Sequence, residues 1–230
     1  MARVFAVVAA AGRSTRMAGA NKQLLPLSGI PVLIRSLYAL ERIPQVEGIV
    51  VVAPPDGLEQ YREAAAEWKL KKITALVPGG VNRQQSVFFG LLAVPFGCEV
   101  VIVHDGARPL VTEKEIFKLI AAAEDFGAAT LAVPVKDTVK EAGDGGFVVK
   151  TPDRSSLWLT QTPQGFSFSL LKEAHSRAGE RGVLYTDDAS LVEACRIRVK
   201  IVGGSYRNIK ITTAEDVLVA EALLRAGIGN

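Results

Sequence analysis

The sequence predicts an α/β protein with a mostly parallel sheet, and three observations lead to this fold class. Apolar runs rich in valine and isoleucine recur along the 230 residues, and most are continuously hydrophobic, as is typical of strands buried on both faces. Segments with apolar residues three and four positions apart separate these runs, which is the spacing of amphipathic helices. Strand and helix therefore alternate, an order that favours parallel strands joined by right-handed crossovers.

Six apolar runs are predicted to form the strands. In chain order they are Val4–Ala10, Gly48–Ala53, Ile73–Val77, Glu99–Val103, Ala128–Val135 and Val199–Val202. Ligands of an open α/β sheet gather beyond the carboxyl ends of its strands. The residues that follow each run are therefore the first candidates for a functional site.

Five helices are predicted between these strands and after the last one. They cover Pro31–Arg42, Asp56–Trp68, Asn82–Ala93, Thr112 to about Phe126, and Thr213–Leu224. Pro31 suits a first helical position, and Asp56 and Asn82 are good N-caps. Thr112 and Glu115 have the spacing of a capping box.

One segment, Val135–Phe166, interrupts the alternation of strand and helix. It contains two β-prone runs around the turn-forming stretch Gly143-Asp144-Gly145-Gly146, which predicts a hairpin. Exposed strand edges invite pairing with another chain. We therefore predict one Rossmann-like domain over residues 1–230 with a projecting β-hairpin dimerisation arm at about 136–156; a decorative insertion is the alternative. No fused second enzyme domain is expected, because the chain ends soon after its last predicted helix.

Composition excludes several classes of function. With 49% hydrophobic and 22% charged residues, the chain can bury a full core. A net charge of only +3 predicts no nucleic-acid partner and no membrane surface, so a few placed cations must bind any anionic substrate. Cys98 and Cys195 are far apart and predict neither a disulfide framework nor a zinc site, but reduced thiols in a cytoplasmic protein.

The turn after the first strand, Ala10-Ala11-Gly12, is a candidate anion site. It lacks both the G-x-G-x-x-G pattern of dinucleotide-binding turns and the G-x-x-x-x-G-K-[ST] pattern of P-loops. Small residues nevertheless allow backbone N–H groups to approach phosphate oxygens closely. Arg16 and Lys22 add mobile positive charge beside this turn. The alternative is a tight βα turn flanked by solvated cations.

A second glycine turn, Pro78-Gly79-Gly80, leads into a helix that begins near Asn82 and carries Ser86. Helix N-termini and glycine backbones favour anions or a base edge, and the Ser86 hydroxyl suits a ring carbonyl or a sugar hydroxyl. An N-cap without a ligand explains the same pattern equally well.

A carboxylate and several further cations and hydroxyls complete the candidate set. Asp105 follows the fourth strand, where a nucleotide ribose or its magnesium ion would lie, although an internal Asp105–Arg108 ion pair is the alternative. Later in the chain come Thr138, Arg154, Thr162, Thr186 and Lys210. Together these residues suit a small phosphorylated polyol; singly, each is equally a cap, a turn residue or a surface charge. His175 has no patterned nucleophile beside it and is predicted to be solvated in a helix.

Eight motifs between Ala10 and Thr212 give the chain a family resemblance. They are Ala-Ala-Gly-x-x-x-Arg-Met, Lys-Gln-Leu-Leu-Pro-Leu-x-Gly-x-Pro-Val-Leu, Pro-Gly-Gly-x-x-Arg-x-x-Ser-Val, Val-His-Asp-x-Ala-Arg-Pro, Pro-Val-Lys-Asp-Thr-Val-Lys, Leu-x-x-Thr-Gln-Thr-Pro-Gln, Thr-Asp-Asp-Ala-Ser and Asn-Ile-Lys-Ile-Thr. In this order they closely resemble the 2-C-methyl-D-erythritol 4-phosphate cytidylyltransferase family of the non-mevalonate isoprenoid pathway. The first motif is shared by many nucleotidyltransferases, whereas the later ones are much more specific.

The resemblance implies a reaction of CTP with methylerythritol phosphate in the presence of Mg²⁺, and it implies roles for the matching residues. Nucleotide binding falls to Ala10, Ala11, Gly12, Gly80, Ser86 and Asp105, and polyol-phosphate binding to Asp105, Arg108, Thr138, Arg154, Thr162, Thr186 and Lys210. Arg16 and Lys22 would hold the triphosphate and stabilise the transition state. Lys210 would neutralise charge at the reacting phosphorus with them, and Arg154 would fix the attacking phosphate. Asp105 is the one metal candidate, with Mg²⁺ held mainly by the CTP phosphates. The resemblance also implies a homodimer in which Thr138 and Arg154 reach the neighbouring subunit's site.

The chain departs from the family pattern at three positions. Ser14 stands where a second glycine is frequent, Asn21 where a proline is frequent, and Val81 where many relatives have an acidic residue. Altered loop mobility is expected from the first two, and Val81 places one nucleotide contact in doubt. The closest rival function is cytidylyl transfer to another polyol phosphate such as ribitol 5-phosphate; guanylyl or uridylyl transfer and a non-enzymatic nucleotide sensor are further alternatives.

Overall fold

A computed structural model describes residues 2–12 and 22–227 of the chain. Its elements, in chain order, are β1 (Val4–Ala9), β2 (Pro26–Leu27), β3 (Ile30–Pro31), α1 (Val32–Glu41), β4 (Val46–Ala53), α2 (Leu58–Glu67), β5 (Ile73–Pro78), α3 (Arg83–Leu92), β6 (Val100–Asp105), α4 (Glu113–Phe126), β7 (Ala128–Pro134), β8 (Glu141–Ala142), β9 (Val148–Lys150), β10 (Trp158–Ser167), α5 (Phe168–Arg181), α6 (Asp188–Glu193), β11 (Lys200–Gly203) and α7 (Ala214–Arg225). Short 3₁₀ turns lie at Pro55–Gly57, Asp144–Gly146 and Arg154–Ser156.

Seven strands form one sheet in the order β11-β7-β10-β6-β1-β4-β5. The pairs β1–β4, β1–β6, β4–β5 and β7–β11 are parallel, and β10 runs antiparallel to both of its neighbours, β6 and β7. The predicted mostly parallel α/β architecture is therefore confirmed. The parallel strands end at one edge of the sheet, and β10 enters the sheet from that same edge.

Helices cover both faces of this sheet and explain its hydrophobic strands. On one face α1, α2 and α4 pack through side chains such as Leu37, Tyr61 and Ile116, and on the other α3, α5 and α6 pack through Leu91 and Leu171, among others. β1 and β6 are buried along almost their whole length. Burial on both faces removes the need for alternation, which is why these strands read as unbroken apolar runs.

The six predicted strands are all present, with ends displaced by one or two residues in most cases. The five predicted helices are present as α1, α2, α3, α4 and α7, whereas α5 and α6 are additional to them. Two of the predicted start signals are wrong. Asp56 lies in the 3₁₀ turn rather than capping α2, whose N-cap is Gly57, and Pro31 is the N-cap of α1 rather than its first residue. The Asn82 cap of α3 and the Thr112–Glu115 capping box of α4 are confirmed.

The segment between β7 and β10 contains the predicted hairpin. β8 and β9 pair antiparallel around a turn in which Gly145 and Gly146 have positive φ angles of 72° and 79°. Side chains from residue 141 to 150 are exposed, including Phe147. A role for this hairpin in dimerisation stays a prediction.

Two further features bear on the class of protein. Within residues 2–12 and 22–227, no helix combines the length and the apolar character needed to cross a bilayer. Cys98 and Cys195 are free and half-buried, which agrees with the prediction that they form no disulfide.

Candidate active site

A cleft of about 880 Å³ opens at the carboxyl edge of the sheet. We call it the main cleft. Of the predicted site residues, Ala11, Gly12, Lys22, Gly80, Ser86, Asp105 and Lys210 line it. Residues that are far apart in the sequence therefore meet because β1, β5 and β6 end at this edge.

The turn after β1 forms one wall of the main cleft. Ala11 and Gly12 line it, while Ala10 is fully buried behind them. The Ala10 N–H donates to the Val52 carbonyl at 2.8 Å, so that N–H group is engaged within the sheet. Arg16, the other cation predicted here, lies outside the described residues, as do Ser14 and Asn21.

The turn after β5 approaches the first turn so closely that it requires a glycine. A Cβ atom added to Gly79 would overlap the Cβ of Ala11, and the Gly79 N–H donates to the Ala53 carbonyl at 2.8 Å. Ser86 ties this turn to α3: its hydroxyl donates to the Asn82 carbonyl at 2.8 Å and accepts from the Gly80 N–H at 3.0 Å. The two glycine turns thus present a continuous backbone surface to the cleft.

Asp105, at the end of β6, is surrounded by cations. Its Oδ2 lies 2.7 Å from Nζ of Lys210 and 3.8 Å from Nε of Arg108, and its Oδ1 lies 3.4 Å from Nε of Arg83. Burial acts to raise the pKa of Asp105, but Arg83 and Lys210 outweigh it and hold the pKa well below its usual range. The carboxylate is ionised at neutral pH, and the predicted alternative of an Asp105–Arg108 pair is only part of this larger cluster.

A second cavity, of about 600 Å³, adjoins the main cleft. Arg108, Thr162 and Thr186 line this second cavity, together with Gln161 and other residues of β10. Arg83, Asp105 and Lys210 line both spaces. The charged cluster is therefore the boundary at which a ligand in the main cleft and a ligand in the second cavity would meet.

Hydrogen bonds with residues of β10 and β6 hold Asp105 and Arg108 in place at this boundary. The Thr162 hydroxyl accepts from the Asp105 N–H at 2.9 Å and lies 3.2 Å from Nδ1 of His104, whose Nε2 lies 3.2 Å from the Arg108 carbonyl. Asn208 donates to the Thr162 carbonyl at 2.9 Å, which joins the segment carrying Lys210 to β10. Burial lowers the pKa of His104 to about 4, so the ring is neutral at pH 7.

Two predicted polyol-phosphate residues are not brought to this boundary within one chain. Thr138 and Arg154 are exposed and lie on the segment between β7 and β10, and neither lines the main cleft or the second cavity. The Arg154 guanidinium donates to the Lys136 carbonyl at 2.6 Å, a contact within the same segment.

Sequence reasoning missed a buried chain of polar side chains behind the boundary. Arg83 contacts Asp188 (Nη1 to Oδ2, 2.7 Å) as well as Asp105, and Nε2 of His175 lies 3.0 Å from Oδ1 of Asp188. The prediction that His175 is solvated is wrong, because α5 packs on α3 and the His175 ring stacks on Phe88 at a centroid distance of 6.0 Å. Arg83 and Asp188 both lie within the family motifs, but no pattern of neighbouring residues indicates that the two side chains form a pair.

Comparisons with known proteins agree with this geometry. Residues 4–226 match the family described as 2-C-methyl-D-erythritol 4-phosphate cytidylyltransferase. Proteins of that name from Desulforamulus reducens and Pelotomaculum thermopropionicum are 48% and 49% identical to the chain, and cover 98% and 100% of it and 97% of their own length.

Solved structures that resemble the chain carry names of the same enzyme family. 4-Diphosphocytidyl-2C-methyl-D-erythritol synthase from Anaerococcus prevotii superposes with a TM-score of 0.87 at 31% identity, covering 97% of this chain and 96% of its own. The 2-C-methyl-D-erythritol 4-phosphate cytidylyltransferase from Thermus thermophilus gives 0.79 at 33% identity, covering 95% and 98%. Since the match to the family extends over nearly the whole chain, this chain belongs to the 2-C-methyl-D-erythritol 4-phosphate cytidylyltransferase family of nucleotidyltransferases.

Proposed function

We propose that the chain transfers CMP from CTP to 2-C-methyl-D-erythritol 4-phosphate, giving 4-diphosphocytidyl-2-C-methyl-D-erythritol and pyrophosphate. Beyond family membership, one observation carries this proposal: Asp105 and Lys210 line both the main cleft and the second cavity. A transfer between two bound substrates needs two adjoining spaces with their reactive phosphates at a shared boundary.

The main cleft suits the nucleotide. The backbone of Ala11, Gly12 and Gly80 offers close approach to phosphates and to the base, and α3 begins beside it with a capped N-terminus, which favours negative charge. Lys22 supplies a cation in the same space. Ala10 lies behind the first turn, Ser86 lines the cleft and ties the second turn to α3, and Arg16 is assigned to the triphosphate by resemblance. Val81, which is 92% exposed, lies at the rim, where an acidic residue of other family members would add a polar contact.

The second cavity suits the polyol phosphate. Arg108 and Lys210 provide positive charge, and Thr162 and Thr186 provide hydroxyl groups beside them. Arg108 is held by a hydrogen bond from its Nη1 to the Asn208 carbonyl at 2.6 Å, so its position is preorganised. A small molecule with one phosphate and several hydroxyls matches this donor set.

The reaction requires charge neutralisation more than proton transfer. An ionised oxygen of the polyol phosphate attacks the α-phosphorus of CTP, the bond from that phosphorus to the bridging oxygen breaks, and pyrophosphate leaves with the electron pair. The nucleophile is already anionic, so no strong general base is needed; neutral, buried His104 is occupied in positioning Thr162 and the Arg108 carbonyl. Lys22 and Lys210 stabilise the negative charge that develops around the α-phosphorus.

A divalent cation fits this site as a companion of the nucleotide. Within the described part of the chain, no cluster of three or more His, Cys, Asp or Glu residues could hold a resident ion. Asp105 offers one ionised carboxylate, and Mg²⁺ characteristically combines one or two carboxylates with substrate phosphate oxygens. When bound, such an ion would supply further neutralisation of phosphate charge.

A homodimer would complete the polyol-phosphate site. The exposed positions of Thr138 and Arg154, away from the boundary in their own chain, support the proposal that they act in the neighbouring subunit's site. The exposed apolar side chains of Phe147, Val148 and Val149 on the hairpin support an intersubunit contact there. The cytoplasmic location stays a prediction.

The proposed reaction is tested by pyrophosphate release. Purified protein is assayed with CTP and Mg²⁺ plus either methylerythritol phosphate or ribitol 5-phosphate, and GTP, UTP and ATP replace CTP in parallel. Turnover that requires both CTP and methylerythritol phosphate would support the assignment. Faster turnover of ribitol 5-phosphate, or a preference for another nucleotide, would refute it.

A further inference from the structure

Arg83, at the start of α3, stands between two buried carboxylates that come from separate elements. Its Nη1 lies 2.7 Å from Oδ2 of Asp188 on α6, and its Nε lies 3.4 Å from Oδ1 of Asp105 on β6. The side chains of Asp105 and Asp188 are only 9% and 1% exposed. One guanidinium is therefore shared between two carboxylates that would be costly to bury without a cation beside them, and Lys210 and Arg108 add positive charge beside Asp105.

The contact between Arg83 and Asp105 is half of a two-pronged pair. In a guanidinium, Nε–H and one Nη2–H bond point the same way and form a fork that fits both oxygens of a carboxylate. Here Oδ1 faces Nε, but Nη2 of Arg83 is buried and has no hydrogen-bond partner in the described structure. The second oxygen, Oδ2, is held instead by Lys210 at 2.7 Å. The fork thus has one prong engaged and one prong vacant.

Lys210 has two uses that conflict. In the structure its ammonium group pairs with Asp105, whereas the proposed reaction needs that group on a phosphate. If Lys210 left, Oδ2 of Asp105 would lose its short hydrogen bond. Nε of Arg108 is likewise buried without a hydrogen-bond partner among the described residues, but it lies 3.8 Å from Oδ2, beyond hydrogen-bond distance. The bond from Nη1 of Arg108 to the Asn208 carbonyl holds the side chain in that position.

We propose that Arg83 is a positioning residue whose vacant Nη2 prong takes the second oxygen of Asp105 when Lys210 moves to the substrate phosphate. This inference rests on the proposed function, since it concerns the same boundary. Asp105 stays paired and in place throughout, and Lys210 becomes available without leaving an unpaired buried carboxylate behind. Asp188 and His175 hold the guanidinium from the opposite side, which keeps the fork aimed at Asp105.

The test is a double-mutant cycle built on Asp188→Asn. In that background Arg83→Gln removes the fork without leaving a carboxylate at position 188 unpaired, and Asp105 keeps its contacts with Arg108 and, where present, Lys210. In the parent variant, the amide at position 188 retains one side-chain oxygen that can accept from Nη1 of Arg83. Arg83→Gln is made once in chains that keep Lys210 and once in chains that carry Lys210→Ala. For every variant, kcat and KM are measured for both substrates. We expect Arg83→Gln to lower kcat about tenfold or more when Lys210 is present, with the KM for CTP changed less than about threefold.

In the Lys210→Ala background the same exchange should change kcat less than about threefold, because no lysine remains to be released. Equal or larger losses in the Lys210→Ala background would overturn the proposal, because a purely structural Arg83 would be needed at least as much once Asp105 has lost its contact with Lys210. Arg83→Lys with Asp188→Asn is the second variant: it retains the charge but not the fork, and should recover less than half of the lost activity on a logarithmic scale. Full recovery by lysine would also overturn the proposal.

Melting temperatures and circular dichroism confirm that each variant is folded. An inactive wild-type protein would refute the proposed function itself. An active wild type with equal or larger losses in the Lys210→Ala background would refute only the role of Arg83, so the two failures are distinguishable.

Discussion

Lys210 and Asp105 form a 2.7 Å ion pair at the boundary of the two cavities, although Lys210 lies near the end of the chain and Asp105 ends the strand β6. We expect Lys210→Ala to lower kcat with methylerythritol phosphate by about 10²–10³-fold, because one preorganised cation is lost from the charge-developing centre. Arg83 and Arg108 still neutralise Asp105, so the variant should remain folded. Steady-state kinetics measures the loss; an unchanged kcat would contradict the role.

Lys22 lines the main cleft together with Lys210. Lys22→Ala should lower kcat by about 10²–10³-fold while the affinity for CTP, measured by equilibrium binding, changes much less. This difference is expected because the charge on the α-phosphorus and on the departing pyrophosphate grows in the transition state. Lys118→Ala, on the exposed face of α4, is the matched control and should behave like wild type. Equal effects on binding and turnover would show that Lys22 only holds the nucleotide.

Arg154 provides a test of the dimer that needs no structure of the complex. Suppose that Arg154 acts in the neighbouring subunit and that a Lys22→Ala chain pairs with an Arg154→Ala chain. One of the two sites in this mixed dimer is then intact, because it combines Lys22 of the second chain with Arg154 of the first. Random mixing of the two inactive proteins should then restore about a quarter of wild-type activity. The measurement is pyrophosphate release after co-refolding or subunit exchange. If activity is not restored, Arg154 acts within its own chain or the chain is monomeric.

His104 should make the stability of the protein depend on pH. Burial lowers its pKa to about 4, whereas an unfolded histidine titrates near about 6.5. Between these values the unfolded chain binds more protons than the folded chain, so the free energy of unfolding falls as the pH falls. From about pH 7 to about pH 5 this residue should contribute a loss of about 2 kcal/mol.

Urea unfolding at the two pH values measures that loss, and His104→Gln is the comparison. Asp105 and Asp188 do not confuse the result, because their pKa values are lowered and their stabilising contributions are lost only at pH values below the ordinary carboxylate pKa of about 4. An equal pH dependence in wild type and His104→Gln would contradict the prediction.

Gly90 lies where the backbone of α3 packs closely against β1 and β4. An added Cβ would overlap Val7 and lie 2.9 Å from Cγ2 of Val52, and both valines are fully buried. Gly90→Ala should therefore lower the free energy of unfolding by about 1–3 kcal/mol and weaken CTP binding, because α3 carries the turn of the main cleft. Gly179→Ala is the control, since nothing lies within 4 Å of its added Cβ. It should leave stability unchanged or raise it by up to about 1 kcal/mol; equal losses in both variants would contradict the prediction.

Most of the sheet could be predicted because burial on both faces produces unbroken apolar runs. β10 is the exception, since its inner half reads Gln161-Thr162-Pro163-Gln164 and yet is buried. Gln164 is accommodated by hydrogen bonds to Thr130, Asp187 and the Ala189 N–H, which come from other elements. Hydropathy reflects only the polar side chains and not their hydrogen-bond partners. The sequence therefore predicts this strand as part of the hairpin segment and not as part of the sheet.

The same reasoning separates the parts of the site that sequence reveals from those it hides. Turns that follow strands share an edge of the sheet by topology alone, which is why Gly12, Gly80 and Asp105 could be grouped. The pairing of Arg83 with Asp188 depends on how α3 packs against α6 and has no local signature. His175 was misassigned for the same reason: its environment is made by Phe88 and Asp188, neither of which is near it in sequence.

The position of β10 in the sheet separates the strands that support the main cleft from those that support the second cavity. Strands β1, β4 and β5 and helix α3 support the space assigned to CTP, whereas β10, β7 and β11, which are consecutive in the sheet, support the space assigned to the polyol. Because β10 enters the sheet directly from the hairpin segment, the space assigned to the polyol is continuous along the chain with that segment, and Arg83, Asp105 and Lys210 connect it to the main cleft. The proposed assignment implies that substitutions along β7, β10 and β11 can change the acceptor while β1, β4, β5 and α3 continue to support the nucleotide.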